Sequence, residues 1–253
     1  MKTILTILLL FPVLAFSQIV NIEEQRITGT NDSTAWYGYV RLGANISKVQ
    51  DQILQLNSSA HVQYKSDPHL ILLLLDGKFL RAGGQDFNNA GFAHMRYNYD
   101  ITPPLVLEVF MQSQFNKLLL IARRDLAGAG LRYRAFKSKD GKNRIYVAAA
   151  YMYEHDFFTE ENGSANWHRI SSYLSFTLRP WSGVKWVTTT YFQPQIDGWS
   201  NLRLSLQSRL DLPLSKQLSF TTDFSFSLDH SLPNDAPREV YAWMNGLVWR
   251  LGR

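Results

Sequence analysis

The sequence predicts an all-β fold, an antiparallel up-and-down transmembrane β-barrel of about twelve strands. Three observations predict it. From residue 34 onward, apolar and polar residues alternate through one short segment after another, most plainly in Leu202–Leu212 (LRLSLQSRLDL) and Leu218–Asp229 (LSFTTDFSFSLD). Successive strand side chains point to opposite faces, so each segment has one face of Leu and Phe and one of Ser, Thr, Arg, Asp and Gln. The N-terminus has the form of an export signal. Beyond it no apolar run approaches the roughly 18–20 residues that a helix needs to cross lipid. A chain of this kind crosses a membrane only as a closed barrel, in which strands pair one another's backbones.

The export signal comes first. Lys2 supplies the positive start, Ile4 to Phe16 the apolar run, and Ala15-Phe16-Ser17 the small residues at a cleavage site placed before Gln18. The polar segment from Asn21 to Ser33 follows at once, which is wrong for a membrane anchor. The expected organisation is a signal peptide over 1–17, a periplasmic N-terminal segment over 18–33 and an outer-membrane barrel over 34–253.

Breaker residues divide the rest into strands over 34–46, 52–65, 69–81, 87–100, 104–117, 124–137, 142–155, 167–180, 184–195, 200–213, 217–230 and 239–251. Most are longer than the five or six residues usual in soluble sheets, as a tilted crossing of hydrocarbon requires. One set of connections is tight and rich in Pro, Gly and Ser: 66–68, 102–104, 138–141, 180–183 and 213–216. The alternate set, 81–86, 118–123, 156–166, 195–200 and 230–238, is mostly longer or more polar. Short turns in the periplasm and longer loops outside would give this alternation, and an even strand count returns both termini to the periplasm.

Aromatic residues fall near the strand ends. Trp36, Tyr64, Tyr99, Tyr133, Trp181 and Trp249 lie toward the tight turns, and Phe87, Trp167, Trp199 and Tyr241 toward the loops, as interfacial girdles would. The last strand ends Gly246-Leu247-Val248-Trp249-Arg250-Leu251, which resembles the C-terminal signal read by the barrel-assembly machinery. It departs from that signal at Met244 and in running on through Gly252-Arg253.

Composition removes several classes. Zero cysteine excludes a lipid-modified N-terminus, disulfides and thiol catalysis. The formal charge of +5 is mild and its Lys and Arg are spread through the strands, so nucleic acid is not an expected partner. The expected partners are outer-membrane lipid and, during biogenesis, the assembly machinery.

The most notable polar constellation spans 87–137. His94, Arg96, Asn98 and Asp100 share one strand face, Glu108, Gln112 and Gln114 another, and Arg132 and Arg134 a third. These faces must be the lumen, because Arg or Lys facing mid-bilayer lipid costs about 2–4 kcal/mol. A turn at 101–104 places Arg96 opposite Glu108, and a hairpin centred near Leu120 brings Glu108 to Arg132. The expected result is a charge row Arg96–Glu108–Arg132. Gln112, Arg134, Arg203, Arg209 and Asp223 are further expected lumen residues. Paired lumen charges that offset each other's desolvation explain such a row more simply than a constriction or binding site does.

The same region carries a family resemblance. Phe92-Ala93-His94-Met95-Arg96-Tyr97-Asn98-Tyr99, Glu108 to Gln112, Asn116 to Leu119 and Arg124 to Tyr133 resemble the salt-induced outer membrane protein family, domain of unknown function 481. The signal ending Phe-Ser-Gln resembles those of Bacteroidota. The resemblance implies an outer-membrane barrel and brings no activity, cofactor or catalytic residue with it. Gly128 and Gly130 fit a lumen face that leaves room for bulky neighbours.

No enzyme is expected. None of the histidines 61, 69, 94, 155, 168 and 230 has Ser two positions downstream, as outer-membrane phospholipases do. His61 falls on a polar face with Gln55, Asn57 and Gln63. Glu154-His155-Asp156 with Glu160-Glu161 matches no cation-binding loop, so neither metal nor cofactor is expected. The leading reading is a non-enzymatic outer-membrane barrel acting as a narrow channel or as a structural or binding component of the envelope. The alternative is a soluble periplasmic β-barrel binding an apolar ligand, with its apolar face turned inward.

Overall fold

The computed structural model describes residues 34–48, 51–159, 163–215 and 217–249. The expected signal peptide and N-terminal segment lie outside the described residues. Twelve antiparallel strands form one sheet in sequence order: β1 (Thr34–Lys48), β2 (Gln52–Ser66), β3 (His69–Ala82), β4 (Gln85–Thr102), β5 (Leu105–Asn116), β6 (Ile121–Lys137), β7 (Arg144–Phe158), β8 (Ser164–Leu178), β9 (Lys185–Pro194), β10 (Leu202–Pro213), β11 (Leu218–Asp229) and β12 (Glu239–Trp249). A 3-10 turn, Lys117–Leu119, stands between β5 and β6. The Asn116 side chain caps it by accepting from the Leu118 N–H at 3.1 Å.

The sheet is rolled with its polar face inward. Arg124 on β6 reaches Asp229 on β11, Arg203 on β10 reaches Glu154 on β7, and Tyr173 on β8 reaches Glu108 on β5. Strands this far apart in the sheet touch only across a lumen. Period-two alternation does the sorting. In the β10–β11 ladder Arg203 pairs with Asp229, Ser205 with Ser227 and Arg209 with Asp223, while Leu204 pairs with Leu228 and Leu206 with Phe226 on the opposite face. Leu42 (77% exposed) and Trp243 (69%) stand on that outer face. β1 and β12 are the edges, and among the described residues their backbones are not paired with each other.

The lumen is densely filled between β4 and β10. Two cavities there, beside Arg96 and Gln112 and beside Glu108 and Tyr173, hold only about 30 Å³ and 10 Å³. Each has room for roughly one water molecule. Leu72 and Leu74 are apolar exceptions on the inner face of β3, buried against Leu70 and Phe92.

Glycine sets how closely strands and rings approach on the inner face of β6. A Cβ on Gly128 would lie 2.7 Å from the Tyr151 carbonyl oxygen and against the Phe110 ring. One on Gly130 would collide with the Ala149 carbonyl and the Ala150 Cα. Gly130→Val is therefore expected to cost about 1–3 kcal/mol through forced separation of β6 and β7. The temperature at which the compact form converts to the slower-migrating form on gels reads the loss.

Three expectations need correction. The contrast in connection length is weaker than expected, because β4, β6 and β7 extend into segments read as loops. At the loop end only 195–201 and 230–238 stand out, whereas 83–84 is as tight as 67–68 at the other. Trp167 does not join a girdle: it pairs with Glu154, faces inward and donates to Asp156 at 3.2 Å. Trp36, Tyr99, Tyr133, Trp181, Trp199, Tyr241 and Trp249 are exposed as expected, while the Phe87 side chain lies outside the described residues.

The third correction concerns register. Asn98, not Arg96, lies opposite Glu108, and Glu108 faces Gly130, not Arg132. The chain turns at Pro103-Pro104, later than the expected hairpin centre, and after the one-residue bulge between Asp100 and Thr102 the β4–β5 pairing settles two residues from the expected one, which preserves the face and changes the partner.

Candidate functional site

Two polar assemblies occupy the lumen. The first contains the expected row. Arg96 Nη1 donates to Glu108 Oε2 at 3.1 Å, and the Tyr173 hydroxyl donates to the same oxygen at 2.8 Å. The two-residue shift makes the Arg96–Glu108 contact diagonal, and long side chains span it. Arg96 also lies over the Phe110 ring, 5.2 Å from its centroid. Arg132 is buried on the same face, with its guanidinium stacked 3.7 Å from the Tyr146 centroid. The ring lies on β7, where Ala148 opposite Arg132 leaves room for the guanidinium.

The other expected lumen residues face inward too. Gln112 is buried between His94 Nδ1 at 2.9 Å and the Gln114 side chain. Arg209 pairs with Asp211 at 3.2 Å and Asp223 at 3.6 Å in a partly open part of the lumen. Arg134 is half-buried near the turn that joins β4 to β5, its N–H donating to the Pro104 carbonyl at 2.7 Å. His61 is buried beside Tyr39, ring centroids 5.6 Å apart.

The second assembly is larger, lies toward the loop end, and was missed from sequence apart from Arg203. It contains three guanidiniums, Arg124, Arg169 and Arg203, and three carboxylates, Glu154, Asp156 and Asp229, all at most 1% exposed. Arg124 grips Asp156 with two bonds, 2.6 and 2.9 Å, and extends Nη1 to Asp229 at 3.1 Å. Arg203 grips Glu154 with two bonds of 2.6 Å and donates from Nε to Asp229 at 3.1 Å. Arg169 lies 3.6 Å from Glu154 and donates to the carbonyls of Gln193 and Asn201 at 3.0 and 3.1 Å. Planar, bidentate guanidinium–carboxylate pairs suit burial better than lysine pairs would, because each fork satisfies both oxygens.

A loop closes over this network. Asp229 also accepts from the Ser231 N–H at 2.9 Å, and Ser231 Oγ accepts from Arg124 Nη2 at 3.3 Å. From there residues 230–238 cross the barrel mouth. Leu232 and Ala236 bury against Leu119 and Ile121 at the β5–β6 turn, packed with Leu120, Phe158 and Val240. The order from the mouth inward is thus an apolar cap, a charge-balanced ionic layer, then the hydrogen-bonded row around Glu108.

This arrangement can hold the barrel shut and rigid. Each carboxylate of the ionic layer is occupied by guanidinium, which is inconsistent with cation binding by Glu154 and Asp156; Glu160 and Glu161 lie outside the described residues. The signal for it is parity: Arg124 shares a face with Arg132, and Glu154 and Asp156 share one with Met152, but Arg124 and Glu154 fall at the ends of expected strands and Asp156 in the expected loop 156–166. Nothing local in the sequence links Asp229 to Arg124, 105 residues away.

The family described as "Protein of unknown function, DUF481" matches residues 40–239. The chain belongs to that family. The matched span runs from β1 to the start of β12 and so includes both assemblies and the loop over the mouth. No curated protein matches. Among solved structures, the β domain of the Bordetella autotransporter Brka is similar at 12% identity, covering 87% of this chain and 100% of that one, with a TM-score of 0.39.

Proposed function

We propose that the protein is an outer-membrane β-barrel that serves as a sealed structural or binding component of the envelope, without enzymatic activity and without a general pore. The inverted burial carries this reading. Six charged groups are sealed in the lumen while Leu42, Tyr151, Trp243 and Leu247 stand outside. An apolar exterior of this extent is stable against acyl chains and costly in water. A soluble barrel with an apolar interior would require the opposite faces. The aromatic residues exposed at the turn end, Trp36, Trp181 and Trp249, suit a headgroup interface. Outer-membrane lipid and the assembly machinery remain the partners that this reading implies, with the turn end in the periplasm and the capped mouth outside.

Against a channel stand the capped mouth and the filled lumen between β4 and β10. Folded protein reconstituted into planar bilayers is expected to give no discrete conductance steps. Steady unitary steps from folded protein would overturn the sealed-barrel reading in favour of the narrow channel.

A further inference from the structure

The outer wall of β1–β5 is not smooth. A cavity of about 690 Å³ is sunk into it near the loop end, between Leu42 on β1 and Phe115 on β5. Its floor lies where Ser58 and Gly77 pair across β2 and β3, and Leu56 and Phe79 form the next rung. The floor has no space to spare, since a Cβ on Gly77 would stand 2.9 Å from Ser58 Oγ. The volume falls in the roughly 300–1,000 Å³ range of small-molecule pockets, and the lining is overwhelmingly apolar.

Basic residues stand at the loop-side rim. Arg81 is the next outward residue after Phe79 on β3, pairs across the ladder with Leu54, and is exposed. Lys48, at the end of β1, and Lys117, which opens the 3-10 turn, are exposed at the same end. An apolar slot below and cations above match an amphiphile with an anionic head. A second copy of this chain fits less well, since a stable protein contact needs about 800 Å² of complementary face from each partner and not a notch under a basic rim.

We propose that this recess seats an acyl chain of a phosphorylated lipid from the leaflet on the loop side, with the lipid phosphate against Arg81 and Lys48. The proposal rests on the membrane reading above, and it adds a specific lipid site to a wall that would otherwise meet bulk acyl chains. Lys117 completes the rim at the β5 side. Arg81 already donates from Nε and Nη2 to the Gly84 carbonyl at 3.3 and 3.1 Å, which holds its guanidinium at the rim.

Native mass spectrometry of detergent-released full-length protein tests it, with added bisphosphorylated glucosamine-disaccharide lipid (lipid A), phosphatidylglycerol or phosphatidylcholine as probes. One lipid A per barrel is expected to be retained in preference to phosphatidylcholine. Gly77→Leu, which fills the slot, should weaken retention at least ten-fold. Arg81→Gln should weaken it about five-fold, the usual contribution of one basic residue at a lipid surface. Ala44→Phe blocks the slot from β1 and replaces Gly77→Leu should that variant not fold. Equal retention by wild type and the variants, equal retention of phosphatidylcholine, retention of phosphatidylglycerol above lipid A, or a dimer in place of a lipid adduct would each overturn the proposal. Heat-modifiable migration of the same samples tests the membrane-barrel reading separately: its loss in the wild type would sink that reading, whereas its presence without lipid selectivity sinks only the site.

Discussion

Asp229→Leu is expected to destabilise the barrel by about 3–5 kcal/mol, the cost of removing one partner from a buried ion pair. The Asp229 carboxylate accepts from Arg124 and Arg203, both at 3.1 Å, and from Ser231 in the capping loop. Its loss leaves three fully buried guanidiniums facing two carboxylates. Asp229→Asn keeps the shape and the acceptor oxygen and should cost less, while still leaving the layer one negative charge short. Two readouts distinguish this from a generic packing defect. The gel-shift midpoint should fall, and residues 230–238 should become cleavable by added protease at temperatures where the barrel persists. A midpoint unchanged within about 0.5 kcal/mol, the ordinary range for a surface substitution, would remove the ionic layer from the account.

Val109→Arg has the second large expected effect. Val109 sits midway along β5 on the outer face, between Tyr97 on β4 and Ala129 on β6. In the proposed outer-membrane setting a guanidinium there would face hydrocarbon and cost about 2–4 kcal/mol, falling to about 0–1 kcal/mol near the interface. Tyr133→Arg, near the turn end of β6, is the matched control and should be nearly silent. Urea titrations of the protein refolded into lipid vesicles measure both. Equal, small effects at the two positions would mean that the face of β5 does not meet a bilayer interior.

The strand pattern was legible because each lumen strand repeats the same two-residue code. Ser205, Gln207 and Arg209 alternate with Leu204, Leu206 and Leu210, and no tertiary information is needed to sort them. Register was harder to read. The later β4–β5 turn at Pro103-Pro104, with a one-residue bulge beside it, leaves Arg96 two residues past Glu108, and a slip of two leaves the hydrophobic pattern intact, so nothing in the pattern penalises the wrong partner. The ionic layer was illegible for a different reason. Its members come from β6, β7, β8, β10 and β11, and only the rolling of the sheet brings them together. Glu154 at an expected strand end and Asp156 in the expected loop therefore carried no sign of a buried partner. Leu72 and Leu74 show the limit of polarity as a guide, since they face inward from the most apolar run of the described residues.

Asp140 illustrates a local feature the sequence carried in full. The Ser138-Lys139-Asp140-Gly141 breaker becomes a turn in which Gly141 takes φ +69° and Asp140 accepts from the Ser138 hydroxyl and the Lys142 N–H at 3.1 Å. The Ser138 hydrogen bond, with help from Lys142, holds the Asp140 carboxyl below the usual carboxylate range.

The polarity of the wall is open to one direct measurement, helped by the absence of native cysteine. Single cysteines placed in turn at Leu204, Ser205, Leu206, Gln207 and Ser208 of β10 can carry a nitroxide in lipid-reconstituted protein, and oxygen accessibility reports contact with the bilayer. The account predicts high accessibility at 204, 206 and 208 and low accessibility at 205 and 207, a period of two in phase with the outer face. A flat profile, or one with its maxima at 205 and 207, would contradict it.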